Sequence, residues 1–282
     1  MNKKTGQSDK PLFDPDFLRM NRARASHHAA THGFLHDRAC DQIADRLADI
    51  KRAFPFSVLY GGEMTGKSPQ AHLRQAGGIE TLMIVSQEQE DNLSTIANPP
   101  ADAIFSLLTL HATEDLPGAL IRINRALKPD GLFLAALFGG DTLCELRECL
   151  MEAELSLTGG ASPRIMPFAD KRQMGALLQR AGFALPVVDS ETMTVTYQDS
   201  FALMRDLRFM GESNSLFARN KKYPGRHFFT TADRLYREKY AEPDGRIPAT
   251  VEIIYLIGWS PHESQQKPLR PGSADTSLTD IL

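Results

Sequence analysis

Apolar and polar positions along the chain form blocks that predict strands and helices in turn. Strand-like patterns occur in six runs: PFSVLY, ETLMIVS, ADAIFSLLTLH, LFLAALFG, VVDSETMTVTYQD and ATVEIIYLIGW. In several of the segments between them, apolar residues recur at spacings of three and four, as at Leu120, Ile123 and Leu127, which indicates helices with one buried face. Strands that alternate with helices predict an α/β fold with a mostly parallel sheet covered on both faces.

The same pattern divides the chain into a helical segment, an α/β domain and two polar ends. Residues 1–12 are predicted to be a disordered lead, and residues 13–53 a helical segment. The α/β domain is placed at residues 54–260, with a helical insertion around 200–240. Residues 261–282 are polar and contain proline, which is typical of a loose tail.

Composition restricts the class of protein. A chain of 282 residues with 42% hydrophobic content is long enough for one large domain. With 32 basic and 35 acidic residues its formal charge is -3, so nucleic acid is not an expected partner. No secretory signal or membrane-spanning window is present, which predicts a cytoplasmic protein without membrane insertion. Three cysteines without a CxxC pair argue against a disulfide framework and structural zinc, and no oligomeric state is indicated.

A glycine-rich loop after the first strand matches the pattern GxxxxGK[ST] of phosphate-binding loops. It begins at Gly61 and contains Gly66, Lys67 and Ser68, and in such loops backbone amides cradle phosphates. Ser68, however, precedes Pro69, which disfavours the helical conformation that a magnesium-binding hydroxyl needs. The neighbouring strands also lack the terminal aspartate of a second magnesium-binding motif. A nucleotide-binding loop is therefore the weaker alternative.

Three histidines recur every four residues, at His28, His32 and His36. On a continuous helix they would form one stripe, and with Asp37 they could supply two histidines and a carboxylate for an iron(II) site that supports hydroxylation. Gly33 interrupts that helix, and a histidine stripe is more often a solvated face. No metal site is therefore predicted.

Several runs in the second half resemble one known family: FGGDTLCELR, SPRIMPFAD, LLQRAGF, MRDLRFMGESN and YLIGWSPHESQ. From about Phe13 to Ala274, the chain is similar to the family of the mitochondrial complex I assembly factor 5 and its alphaproteobacterial relatives. The resemblance implies a Rossmann-like class I methyltransferase fold, a seven-stranded sheet in the order 3-2-1-4-5-7-6, and S-adenosylmethionine at the carboxyl ends of the first strands. It also implies an arginine of a complex I subunit as target, which the best-known member hydroxylates rather than methylates. The protein would then act in the bacterial cytoplasm, at the inner face of the membrane through its partner.

The same resemblance places the cofactor site in a set of loop and strand-end residues. These are Gly61, Gly62, Gly66, Ser86, Leu108 and His111. The loop departs from the family's G-x-G-x-G turn, because Glu63 stands where the second glycine belongs and Leu59 or Tyr60 occupies the acidic position before it. Ser86 replaces the carboxylate that would bind the ribose hydroxyls, although Glu88 is close by. These departures predict weak or lost cofactor binding, and they leave a catalytically degenerate assembly factor as the alternative to an enzyme.

Three polar residues in the runs that resemble the family are candidate catalytic or substrate-binding residues. Asp141 follows two glycines and a strand, so it is predicted either to cap the next helix or to point into the cleft. Glu212 is predicted to hold a guanidinium by paired hydrogen bonds, and Asn214 to orient it. The MGESN run is also explained by a helix that ends at Gly211, and this explanation is compatible with a role in guanidinium binding. A methyltransferase works mainly by positioning its nucleophile, so a strong acid-base pair need not be visible in the sequence.

Overall fold

One sheet of six strands organises the residues that the computed structural model describes, which are 11–61, 69–85 and 98–266. The strands are β1 (Phe56–Gly61), β2 (Thr81–Val85), β3 (Ala101–Leu107), β4 (Leu127–Phe138), β5 (Ala184–Tyr197) and β6 (Ile247–Trp259). They lie in the order β2-β1-β3-β4-β6-β5. The first four are parallel, and β6 is antiparallel to both β4 and β5. Each of the six predicted strand runs is present, and the α/β class is confirmed.

The number of strands differs from the seven that the family resemblance implied. Within the described ranges the sheet has six strands, and their order equals the expected one without its third strand. That strand would lie at the sheet edge beyond β2. Residues 86–97, which follow β2, lie outside the described residues.

Helices cover both faces of the sheet. They are α1 (Pro15–Ser26), α2 (Ala29–His32), α3 (Phe34–Ala48), α4 (Pro69–Gly77), α5 (Leu116–Ala126), α6 (Cys144–Thr158), α7 (Lys171–Arg180), α8 (Ser200–Phe209) and α9 (Arg226–Tyr240). The N-terminal helical segment is present, although it is divided into α1, α2 and α3. The last two helices lie where the helical insertion was predicted. No helix of the described ranges has both the length and the apolarity needed to cross a bilayer.

The core consists of separate apolar layers on the two faces of the sheet. Neighbours along a central strand point to opposite faces, so Ile104 and Phe105 are both fully buried but belong to different layers. A third apolar cluster, which includes Leu146, Leu203 and Tyr236, joins α6, α8 and α9. These three helices form a wall of the larger cavity described below.

Candidate active site

Two neighbouring cavities lie at the carboxyl edge of the parallel strands, the smaller one at the ends of β1 and β3 and the larger one beside Phe138 at the end of β4. The smaller cavity, of about 30 Å³, is bordered by the ends of these strands, by α1 and α3, and by the end of α8. The larger cavity, of about 330 Å³, lies against α6, α8 and the beginning of α9. Met166 and Glu212 line both cavities. The carboxylate of Glu212 therefore stands at the boundary between them.

Backbone geometry at the ends of β1 and β3 shapes the smaller cavity. Gly61 has a φ of +81°, and a Cβ added there would overlap Thr109 Oγ1 and lie 3.3 Å from the Leu107 carbonyl oxygen. Only glycine combines that φ with so little space. Leu108 follows with a φ of +43°, a conformation that leucine adopts rarely, and its N–H donates to the Ala136 carbonyl at 2.8 Å.

Half of the six predicted cofactor residues line this cavity, and the others lie outside the described residues. Gly61, Leu108 and His111 all line the smaller cavity, as expected for the carboxyl edge of a doubly wound sheet. The other three, Gly62, Gly66 and Ser86, lie outside the described residues. The lysine and serine of the phosphate-loop pattern lie outside them as well.

His111 and Glu212 form a buried pair. The His111 side chain is 2% exposed, and its Nε2 lies 3.2 Å from Glu212 Oε2. Glu212 is placed by the end of α8, where Gly211 has a φ of +87°. The Glu212 N–H donates to the Leu207 carbonyl at 2.9 Å, and the Gly211 N–H donates to the Arg208 carbonyl at 3.3 Å. This Schellman motif confirms the predicted helix terminus at Gly211 and turns Glu212 inward.

The surroundings of the pair keep Glu212 charged. Burial raises the pKa of this carboxyl, but the charge and hydrogen bond of His111, together with His36 and Arg22, outweigh it and lower the pKa below its ordinary value. His36 is buried beside the same cavity, and burial lowers its pKa to about 4, so its ring is neutral at pH 7. The Nδ1 atoms of His36 and His111 have no hydrogen-bond partner among the described residues. They are therefore available to form hydrogen bonds at the smaller cavity.

The three histidines of the sequence stripe have different surroundings. The rings of His28 and His32 lie 4.3 and 4.7 Å from the ring of Phe209, and His32 also pairs with Asp206. His36 belongs to α3 and borders the smaller cavity. No group of three potential metal ligands occurs in the described part of the chain.

The role of His36 as a cavity residue was missed in the sequence. A signal was present, because His36 precedes Cys40, Ile43 and Leu47 at spacings of four, three and four. All four are buried on one face of α3. Because His36 lies on this apolar face of α3, the sequence indicates that it is buried. This signal is stronger than the exposure suggested by three histidines at intervals of four.

The larger cavity is mainly apolar, and the acidic side chain among its described lining residues is that of Glu212. Its apolar walls include Leu146, Leu150, Ile165, Met204, Leu207 and Phe229. Its two arginines are engaged, since Arg164 pairs with Glu154 at 2.6 Å and Arg219 with Asp14 at 2.9 Å. Glu212 Oε2 is bonded to His111, whereas no hydrogen bond to Oε1 forms within the described ranges. The cavity therefore presents one carboxylate oxygen at the end of an apolar space.

Asn214 lines this cavity but supports its own loop. The Asn214 side-chain amide donates to the Pro163 carbonyl at 2.7 Å, and its oxygen accepts the Leu216 N–H at 3.1 Å. Both ends of the amide are thus occupied by backbone groups. Asn214 therefore holds the cavity loop in place, and its predicted role in orienting a guanidinium stays a prediction.

The expected helix cap at Asp141 is wrong. Helix α6 begins at Cys144, and the residue before it, Leu143, has a φ of +58° and makes no side-chain cap. Asp141 is exposed, and it is not among the residues that line the two cavities. Its backbone N–H donates to Glu252 Oε2 at 3.2 Å. The FGGDTL run therefore docks on β6 through its backbone.

Comparison with known proteins identifies the family. Residues 66–135 match a family model described as a methyltransferase domain. The mitochondrial arginine-hydroxylase NDUFAF5 of Homo sapiens is 39% identical, over 96% of this chain and 83% of that protein. The chain belongs to the complex I assembly factor 5 family. The family and methyltransferase-like fold predicted from the sequence are confirmed.

Similarity extends within and beyond the complex I assembly factor 5 family. The Dictyostelium discoideum protein of the same name is 37% identical over 88% of this chain, which spans 64% of that longer protein. A malonyl-[acyl-carrier protein] O-methyltransferase of Xylella fastidiosa (strain M23) is 32% identical over 89% of each chain. Two substrate chemistries therefore occur among the names of relatives.

Proposed function

We propose that the protein binds an arginine side chain of a respiratory complex I subunit in the larger cavity and modifies it. The observation that carries the proposal is the ionised carboxylate of Glu212 at the end of a mainly apolar cavity. Arginine has the matching form, because an apolar stem leads to a planar cation that donates charge-assisted hydrogen bonds to a carboxylate oxygen. The arginine-hydroxylase names of relatives support this choice of side chain.

Charge in the cavity disfavours the chemistry of the other named relatives. A malonyl group ends in a carboxylate, which the charged Glu212 would repel. Arg164 and Arg219 could attract it, but they are engaged with Glu154 and Asp14. A positively charged group is therefore the better ligand.

The pair of His111 and Glu212 explains how a guanidinium would be oriented. His111 holds one carboxylate oxygen, which fixes the plane of the carboxylate and leaves Oε1 for the ligand. Because Glu212 lies between the two cavities, the guanidinium would lie beside the smaller one. That position is where this fold places S-adenosylmethionine, which supplies an electrophilic methyl group when bound.

The described residues fit one wall of such a cofactor site. Gly61 lines the smaller cavity, and the unpartnered Nδ1 atoms of His36 and His111 offer polar contacts. A space of about 30 Å³ is far smaller than the cofactor, so the described residues do not form the whole of such a site. Glu63 and Ser86 lie outside the described residues. Their departures from the family pattern favour a second candidate function, an assembly factor that binds the arginine without modifying it.

Titration calorimetry with S-adenosylmethionine decides between the two candidates. We expect a dissociation constant of about 100 µM or weaker because of Glu63 and Ser86, with S-adenosylhomocysteine and ATP titrated in parallel. Low-micromolar binding of the first two would contradict the expected weakness and would direct the search to a modified arginine by mass. No heat with either, together with retained peptide binding, supports the assembly factor. Binding of ATP alone would instead support the phosphate-loop alternative.

Glu212→Gln tests the proposed function directly. The probe is a fluorescein-labelled peptide with a single arginine, compared with the same peptide carrying neutral citrulline. We expect Glu212→Gln to weaken binding of the arginine peptide by about 10- to 100-fold and to abolish the preference over citrulline, because a charge-assisted bond is lost. The exposed Glu263→Gln is the matched control and should change neither affinity. An unchanged affinity in the Glu212 variant would remove Glu212 from arginine recognition.

A further inference from the structure

A strongly basic loop borders the larger cavity. Residues 217–227, called the basic rim here, contain Arg219, Lys221, Lys222 and Arg226 and no acidic residue. The whole chain has a formal charge of -3, so the rim reverses the sign of the charge locally. Arg219 also lines the larger cavity. The rim and the cavity thus form one continuous surface.

The cations of the basic rim have two different arrangements. Arg219 and Lys221 lie 2.9 and 3.6 Å from the carboxylate of Asp14, which anchors the rim to the beginning of α1. Lys222 and Arg226 are exposed, and neither forms an ion pair with another described residue. Two cations are therefore held in place by Asp14, and two are available at the surface.

The exposed part of the rim does not stabilise the fold in an evident way. Arg226 is the first residue of α9, where a cation opposes the helix macrodipole. The preceding Gly225 provides no side-chain cap. Tyr223 is 75% exposed, with its ring 6.0 Å from that of Phe229 at the cavity wall. Exposed tyrosine and arginine next to a cavity are typical of protein-binding surfaces.

We propose that the basic rim docks an acidic segment of the partner polypeptide whose arginine enters the larger cavity. The inference rests on the proposed function and adds the chemistry of the sequence around the target arginine. Carboxylates of a short segment match the two available cations, Lys222 and Arg226, which belong to the same rim as the cavity-lining Arg219. Nucleic acid and anionic membranes fit less well, because they require a wider positive field, and because the charged Glu212 inside the cavity repels phosphate.

The experiment compares two fluorescein-labelled peptides by fluorescence anisotropy. Each carries one central arginine, flanked either by a run of glutamates or by glutamines at the same positions. We expect the protein to bind the glutamate peptide about tenfold more tightly at low salt, and Lys222→Glu/Arg226→Glu to lose this preference. The matched control, Lys51→Glu/Arg74→Glu, makes the same change of charge at exposed positions near the amino end of β1. It should retain the preference.

The outcomes separate the rim from the proposed function. Equal binding of the two peptides, or an undiminished preference in Lys222→Glu/Arg226→Glu, would overturn the docking role. Glu212→Gln should lose the preference for arginine over citrulline but retain the preference for glutamate over glutamine. Loss of only one preference therefore shows which proposal fails. Rim-dependent binding of phosphatidylglycerol vesicles or a single-stranded oligonucleotide, tighter than that of the glutamate peptide, would overturn the assignment to a protein partner.

Discussion

Replacing Gly139 by alanine is expected to lower the free energy of unfolding by about 3 kcal/mol. An added Cβ would lie 2.6 Å from Cδ and 2.8 Å from Cγ of Glu252. Glu252 is only 6% exposed, and its carboxylate accepts the Asp141 N–H. The methyl group therefore forces this side chain to move and breaks its partly buried hydrogen bond to the Asp141 N–H. Urea denaturation monitored by circular dichroism measures the loss.

The neighbouring Gly140 is the matched control for this effect. A Cβ at Gly140 would lie 3.8 Å from the Phe168 carbonyl oxygen, which is an ordinary contact, so Gly140→Ala should change stability by less than about 0.5 kcal/mol. In a Glu252→Ala background the cost of Gly139→Ala should fall, because the overlapping atoms are absent. Equal losses for the two glycines, or no coupling to Glu252, would contradict the explanation.

The FGGDTL run is explained by this docking rather than by chemistry at Asp141. Thr142 Oγ1 donates to the Glu252 carbonyl at 3.0 Å and accepts the Glu252 N–H at 3.1 Å. Thr142 and Leu143 then form part of the wall of the larger cavity. The FGGDTL motif thus positions a wall of the larger cavity, and its acidic residue, Asp141, need not contact the substrate. The sequence shows that an aspartate is present but not the direction of its side chain.

Local patterns predicted the elements of the fold better than their arrangement. The six strand runs were visible as short runs rich in apolar residues, and β1, β3 and β4 are indeed almost continuously buried whereas burial alternates along β5. The order of the strands depends on contacts between distant segments, so periodicity alone does not determine it. It came from the family resemblance, with one strand more than the described residues contain.

The candidate site was predicted in parts. His111 and Glu212 were each placed in a pocket, but they are 101 residues apart in the chain, and nothing local indicates that they form a pair. Their contact depends on the turn after β3 and on the Schellman motif that ends α8. His36 was missed because its role depends on the face of α3 that packs against the sheet. Tertiary packing, rather than propensity, determined each of these outcomes.

Glu154→Gln is expected to lower the free energy of unfolding by about 3 kcal/mol at pH 7. The Glu154 side chain is 6% exposed and accepts hydrogen bonds from Arg164 Nη2 at 2.6 Å and from the Ser162 N–H at 2.9 Å. An amide cannot accept all of these bonds, and it leaves the largely buried Arg164 without a counter-charge. The exposed pair of Glu238 and Arg234 provides the control, and Glu238→Gln should cost about 0.5 kcal/mol or less.

The pH dependence of that loss tests its cause. Hydrogen bonding by Arg164, opposed by burial and assisted by Ser162, lowers the pKa of Glu154 from 4.5 to about 2. Because the pKa is lower in the folded state, the stabilisation is fully present above pH 4.5 and is lost as the pH falls towards 2. The difference between the original protein and Glu154→Gln should therefore shrink over that range, while other carboxylates titrate equally in both. A constant difference would assign the loss to packing.

Glu154→Gln should also weaken binding of the arginine peptide at pH 7, because Arg164 lines the larger cavity and without its counter-charge would repel the arginine of the peptide. Glu238→Gln should leave this binding unchanged.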